Sequence, residues 1–490
     1  MRDWLAQRAR VTPTATAVVD ATAGEAATYA ALDSRVEELA GRLSTFGIGV
    51  GDHLGVVAET TPAYVELVHA AMRLGAVLVP LHARLTAAEL ADRGADADVS
   101  AVACDATTEA AAVEAFDTDE VATVDDPAHG ATYLATLDPA TFDLPSWDSD
   151  EPVLLLSTSG TTGDPKVVCL TAWNLLCSAA ASSWRLGVLP TDRWYCVLPM
   201  SHMGGLAPVY RSVLYGTAIV VATPGSFDAE RALDEMQTHD VTAVSLVPTT
   251  FSRLLDAGEF PDSLRFVLLG GAAAPDALVR RALDRDVPVC PTYGMTEAAS
   301  QIATARPEDA AASVGSVGNP LMFTDVTVVD ESGVSLPSGE QGELVVSGPT
   351  LTPGYYGDPG ATDAAFGPHG FHTDDAGYLD EEGRVHVLNR LDDRIVTGGE
   401  NVDPGEVAAV LRAHPAVADA FVTGLPDDEF GQRVAAVVAG DVTVDALDAH
   451  ARESLAGFKL PREWAVVESL PRTASGTVDR AAARTLLRER

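Results

Sequence analysis

Ser157-Thr158-Ser159-Gly160-Thr161-Thr162-Gly163-Asp164-Pro165-Lys166 follows directly on an apolar run at 153–156. All of its first seven residues are hydroxyl-bearing or glycine, and a lysine closes it. A buried strand that empties into such a loop is a phosphate-binding arrangement. Gly160 and Gly163 permit close backbone approach, hydroxyls and N–H groups can wrap phosphate oxygens, and Lys166 brings a mobile positive charge. The loop lacks the G-K-[ST] ending of a Walker A sequence, so the common P-loop fold is not implied.

Outward from the loop, helical and strand patterns alternate. Upstream, 36–43 and 64–74 have apolar residues at helical spacing, while 54–57 and 76–81 read as buried strands. Downstream, strands are expected at 194–198, 218–221, 243–247 and 266–269. Such alternation predicts α/β layers with largely parallel strands. The acidic stretch 116–152, with Pro127, Pro139, Pro145 and Pro152, reads as a surface connection. From 314 to about 390 the pattern is β-rich, with strands at 326–329, 342–346 and 385–388. Beyond Arg390 a helix at 404–411 and strands at 418–422 and 434–439 form a small α+β unit. The expected organisation is a large N-terminal domain, 1–391, of two α/β layers plus a small β-rich subdomain. A small, mobile α+β domain follows at 392–490.

With 490 residues, 47% of them apolar, the chain has material for more than one core. No apolar run reaches a membrane span, and the opening MRDWLAQRAR has no signal-peptide core, so a cytoplasmic protein without a membrane partner is expected. The five cysteines form no C-x-x-C pair and read as buried thiols. A net charge of −39 argues against nucleic acid as a partner. Only Lys166 and Lys459 are lysines among 32 basic residues. This composition resembles that of proteins from salt-loving archaea. In molar salt the screening length falls to about 3 Å, which quenches self-repulsion and lets an anionic ligand approach.

The loop at 157–166 resembles the phosphate loop of the AMP-binding superfamily of acyl-CoA synthetases, luciferases and peptide-synthetase adenylation domains. The other superfamily motifs occur in order: Thr28-Tyr29-x-x-Leu32, Leu74-Gly75-Ala76-Val77-x-Val79-Pro80-Leu81 and Leu198-Pro199-Met200-Ser201-His202-Met203-Gly204-Gly205-Leu206. Pro291-Thr292-Tyr293-Gly294-Met295-Thr296-Glu297 follows, then Gly342-Glu343-Leu344 with Gly354-Tyr355-Tyr356, and His372-Thr373-Asp374-Asp375-x-Gly377-Tyr378. The series continues with Arg390-Leu391-Asp392-Asp393-Arg394-Ile395 and Gly398-Gly399-Glu400-Asn401-Val402. The resemblance implies an enzyme that uses ATP with Mg²⁺ to convert a carboxylic acid to an acyl-adenylate, and then coenzyme A to make a thioester. It implies that Thr158, Ser159, Gly160, Thr161, Thr162, Gly163 and Lys166 hold phosphates. Tyr293, Gly294, Met295, Gly271 and Ala272 would flank adenine, and Thr296 the α-phosphate. Glu297 would hold the metal, Asp375 and Arg390 the ribose, and Gly398 and Gly399 the pantetheine arm. Asp392 would be the hinge.

Within the superfamily, Gly294 to Gln301, Met203 to Leu206 with Arg211 to Gly216, and Gly457-Phe458-Lys459-Leu460-Pro461 are similar to the o-succinylbenzoate–CoA ligase branch of menaquinone biosynthesis. That acid keeps a second carboxylate after activation, and His202, Arg211 and Ser300 are its candidate donors. Two positions depart from the pattern. Asp374 stands where glycine is usual, and Thr477 stands where the tenth motif, 471–480, carries a catalytic lysine. Lys459 and Arg480 are the available substitutes. Another aryl or acyl acid, or an adenylate-binding protein with weak ligase activity, are the alternatives.

Overall fold

The computed structural model describes residues 3–145, 148–158, 166–391, 395–397, 400–402, 404–427, 430–472 and 478–488. The chain divides into two compact units, residues 1–325 with 346–371, and residues 326–345 with 372–490.

The first unit is built on two large sheets. One runs Gly354–Tyr355, Val167–Thr171, Pro152–Ser157, Val77–Leu81, His53–Val57, Ala101–Cys104, Val121–Thr123, Thr132–Tyr133. The other runs Asn319–Pro320, Ser300–Thr304, Val289–Met295, Phe266–Leu269, Ala243–Leu246, Arg193–Cys196, Ala218–Val221, Thr16–Asp20, Ala26–Thr28. Central neighbours pair in parallel, as between Phe266–Leu269 and Val289–Met295. Strands covered on both faces become continuous apolar runs, and Val77–Leu81 is buried at every position. The connecting helices carry local stop and start signals. Helix Pro62–Leu74 has the Thr61 side chain accepting from the Tyr64 N–H at its start, proline at its first turn, and left-handed Gly75 at its end.

The stretch 116–152 is not merely a surface connection. It contributes two strands, Val121–Thr123 and Thr132–Tyr133, to the sheet edge, and Val121 and Ala122 are fully buried. Between them the carboxylate of Glu109 accepts from the backbone N–H groups of Ala128, His129 and Ala131 at 2.7–3.1 Å. Strands of two or three residues are too short to show periodicity, so the prolines and acids dominated the sequence pattern.

In the second unit, Gly370–Leu379 pairs antiparallel with Val385–Arg390, setting Asp375 opposite Arg390. The C-terminal sheet runs Glu400–Val402, Ile395–Thr397, Gly431–Gly440, Val417–Asp427, with Glu463–Val467 parallel to Gly431–Gly440. Along Gly431–Gly440, Val434, Ala436 and Val438 enter one core with Val407, Leu411 and Leu447. Ala435, Val437 and Ala439 enter a second core with Leu425, Ala483 and Leu487. Alternate side chains point to opposite faces, and helices cover both, which is why 434–439 is uninterruptedly apolar. The architecture is the expected α/β with a small α+β C-terminal part. All five cysteines are buried free thiols.

Candidate active site

The base of the phosphate loop is a strand junction. Ser157 pairs with Val167, and the Thr158 N–H and Oγ1 both donate to the Lys166 carbonyl, at 2.9 and 3.2 Å. Thr158 and Lys166 are thereby brought together; Ser159, Gly160, Thr161, Thr162 and Gly163 lie outside the described residues. Strand Val167–Thr171 then pairs with Gly354–Tyr355, in the register Tyr355 opposite Val168. Lys166 Nζ consequently lies 4.7 Å from the centre of the Tyr355 ring. A cation over an aromatic face is worth about 0.5–1 kcal/mol where water has access. The Tyr355 hydroxyl donates to Glu297 Oε1 at 3.1 Å, and both residues are 9% exposed. The loop lysine and the glutamate thus meet on one tyrosine. The sequence pattern had placed Tyr355 in a motif without giving it a role.

Glu297 is aimed by a tight hairpin. Val289–Met295 runs into a 3₁₀ turn, Thr296–Ala298, and returns as Ser300–Thr304. A Cβ on Gly294 would fall 1.9 Å from the Ser300 carbonyl oxygen, so only glycine allows the strands to close there. Ala299 takes a left-handed φ of 54°, a conformation an L-residue adopts at a cost of about 1–2 kcal/mol. The Thr352 N–H holds the Glu297 carbonyl at 2.7 Å. Tyr293, Met295, Thr296 and Ser300 are half-buried along this hairpin. Exposed Gly271 and Ala272 follow the adjacent parallel strand Phe266–Leu269. Gly271 follows the carboxyl end of Phe266–Leu269, and Tyr293 and Gly294 lie where Val289–Met295 runs past its last parallel pair, Leu269 opposite Pro291, the side on which open α/β sheets bind ligands.

His202 precedes helix Met203–Tyr215, and its ring lies 5.4 Å from that of His82. Burial lowers the pKa of His202; burial and then its neighbour push His82 down to about 4. The Arg84 N–H donates to His82 Nδ1, which puts the His82 proton on Nε2. His82 was not singled out by sequence, where a lone histidine carries no signal. Arg211, on the same helix as Met203, is 3% exposed, with its guanidinium 4.4 Å from the Trp194 ring. Its Nε and Nη1 have no hydrogen-bond partner, and burial pushes its pKa down to about 10. It lines a water-sized cavity of about 10 Å³ together with Ser178, Met203 and the hairpin residue Ala299.

In the second unit, Asp375 is 8% exposed and receives Arg390 Nη1 at 3.3 Å. Arg390 also donates to the Thr373 carbonyl at 3.0 Å and faces Asp374 at 3.6 Å. Asp374 has φ 57°, which explains why glycine is usual there: aspartate is among the few other residues that tolerate it. Lys459 is clasped by both carboxylate oxygens of Glu406, at 2.7 and 2.5 Å. Asp392, Gly398, Gly399 and Thr477 lie outside the described residues, although Arg472 and Val478 on either side of Thr477 pair antiparallel.

Among the described residues no cluster of three or more metal-ligating side chains occurs. A single ordered carboxylate, Glu297, fits Mg²⁺, which usually arrives on substrate phosphates with most of its waters and takes one or two protein carboxylates. It does not fit a resident transition metal, which would need its own ligand cage.

A hydroxyl-rich loop after a buried strand, with a lysine and a glutamate sharing one tyrosine, marks a phosphate-handling class of enzyme. The AMP-binding enzyme model matches residues 5–356, and the AMP-binding enzyme C-terminal domain model residues 406–477. The chain belongs to the AMP-binding enzyme family. A 2-succinylbenzoate–CoA ligase of Bacillus cereus (strain Q1) is 36% identical over 494 residues, spanning 100% of this chain and 99% of that protein. The o-succinylbenzoate coenzyme A synthetase (MenE) of Bacillus subtilis in complex with ATP and magnesium ion has a TM-score of 0.91 at 32% identity, covering 99% of each chain. The same enzyme with its acyl-adenylate intermediate has a TM-score of 0.89 at 32% identity, covering 98% of this chain and 97% of that one.

Proposed function

We propose that this chain is an AMP-forming acid–CoA ligase whose acid is 2-succinylbenzoate, as in menaquinone biosynthesis. The acid's carboxylate oxygen attacks the α-phosphorus of ATP, pyrophosphate leaves, and an acyl-adenylate forms. The coenzyme A thiolate then attacks the acyl carbon, and AMP leaves. Thr158, Lys166 and the 159–163 segment hold the phosphates, and Thr296 donates to the α-phosphate. Glu297 would hold Mg²⁺, which neutralises charge on the transferring phosphates. Tyr293, Gly271, Ala272, Gly294 and Met295 flank adenine, while Asp375 and Arg390 take the ribose hydroxyls. We place the domain boundary between 1–391 and 392–490, with Asp392 as hinge and Gly398 and Gly399 against the pantetheine arm. ATP and coenzyme A are intracellular, which supports a cytoplasmic site of action, and the charge of −39 supports a salt-rich one.

The observation that carries the choice of acid is Arg211. It is a buried guanidinium with two unpartnered donor atoms beside the hairpin that bears Glu297 and Ser300. Such a charge is costly unless a carboxylate pairs with it. The second carboxylate of 2-succinylbenzoate supplies that partner, with His202 and Ser300 as neighbouring donors. A monocarboxylic acid does not. The test measures pyrophosphate release and CoA-ester formation with 2-succinylbenzoate, its monomethyl ester, benzoate and malonate. 2-Succinylbenzoate should lead in kcat/KM; benzoate, malonate or the ester doing as well would sink this substrate. The reading of a weak ligase draws on Lys459, whose clasp by Glu406 leaves it poorly placed to stand in for the lysine missing at Thr477.

A further inference from the structure

Three features converge on Tyr355. Its ring faces the ammonium of Lys166 at 4.7 Å, and its hydroxyl donates to Glu297 at 3.1 Å. Its backbone is fixed on three sides. It pairs with Val168 in the strand that leaves the phosphate loop, its N–H donates to Thr362 Oγ1 at 2.9 Å, and the preceding Gly354 N–H donates to Thr352 Oγ1 at 3.0 Å. That Thr352 hydroxyl lies 2.5 Å from the Cys169 carbonyl, and the Thr352 N–H holds the Glu297 backbone. The short segment 352–355 therefore ties the strand behind the loop to the turn bearing the glutamate.

We propose that Tyr355 is a positioning residue for the metal–nucleotide complex: its hydroxyl orients the Glu297 carboxylate, and its ring holds Lys166 until phosphate takes it. The inference rests on the ligase reading for its choice of Mg²⁺·ATP as ligand. One hydroxyl donor occupies Oε1 and restrains rotation of the carboxylate, so the other oxygen keeps one direction. Without that donor the carboxylate loses one of the contacts that fix its direction toward the cation. Lys166, one of only two lysines in the chain, would otherwise sample solvent on four rotatable bonds.

ATP binding, followed by calorimetry with Mg²⁺ or with EDTA, separates this role from a purely structural one. Tyr355→Phe keeps the ring and removes the hydroxyl. It should bind ATP in EDTA as the wild type does, yet bind Mg²⁺·ATP roughly tenfold more weakly, the scale of one hydrogen bond to a charged acceptor. Tyr355→Leu should weaken binding under both conditions, because the cation loses its aromatic face. Phenylalanine behaving as wild type with Mg²⁺, or weakening both conditions alike, would overturn the proposal. So would a wild type whose ATP affinity ignores Mg²⁺. Pyrophosphate release from 2-succinylbenzoate is read in parallel. If the wild type binds Mg²⁺·ATP but activates no acid, the ligase reading fails, and the role of Tyr355 is still decided by the two affinities.

Discussion

Arg211 and Thr477 are the residues at which chemistry and sequence pattern part. The guanidinium of Arg211 is buried without its full set of acceptors, an arrangement that stability alone does not favour. Arg211→Met keeps most of the volume and removes the charge. Stability in a denaturant titration should hold within about 1 kcal/mol or rise. The KM for 2-succinylbenzoate should climb roughly 10- to 100-fold, with the KM for ATP unchanged. A destabilised variant with an unaltered KM would make the arginine a packing residue. At position 477 a neutral threonine replaces the expected lysine. Loss of one preorganised donor at a reacting oxyanion typically costs roughly 10²–10³ in rate, which slows an enzyme without abolishing it. Thr477→Lys should therefore speed pyrophosphate release and leave transfer from preformed acyl-adenylate to CoA little changed. No gain in the first step would mean that another group already fills the role, and alanine variants of Lys459 and Arg480 would identify it.

The elements that position the site are short and held by side chains. Asn174 shows this most clearly. Its Oδ1 accepts from the N–H and hydroxyl of Thr171 at the start of helix Ala172–Leu186, while its Nδ2 donates to the carbonyls of Pro349 and Leu351. One amide thus caps a helix and anchors the segment leading to Thr352 and Tyr355. Asn174→Ala would strand buried donors and acceptors at once, and we expect it to cost about 2–4 kcal/mol, to be measured by chemical denaturation. A loss below about 1 kcal/mol would show that other contacts carry the segment. The Glu109 carboxylate does comparable work at the far sheet edge, gathering three N–H groups so that 116–152 can add two strands.

Across the whole molecule the dominant quantity is charge. A net −39 repels itself over roughly 30 Å at 0.01 M salt and only about 3 Å at 1 M. Exposed pairs such as Arg280–Asp276 contribute about 0–1 kcal/mol each and cannot offset a field of that size. The midpoint of thermal unfolding and the rate of CoA-ester formation should both rise from low salt to molar KCl. Equal stability and activity at the two salts would refute the reading of a salt-adapted surface. No helix among the described residues is long and apolar enough to cross a membrane.

By itself the sequence determined the layered α/β architecture, the order of the motifs and the adenylate-forming family. These depend on period, turn chemistry and short runs of residues, all local along the chain. It did not determine that 116–152 extends a sheet, because strands of two and three residues leave no period to read. It named Arg211 as a candidate donor but not its burial, since an arginine carries no mark of its own burial. Nor could it join Tyr355 to Glu297, which lie 58 positions apart and meet only because the Gly354–Tyr355 strand pairs beside the phosphate loop. Motifs name the groups that chemistry needs; strand register and burial, which sum over distant parts of the chain, decide which of them touch and which become buried.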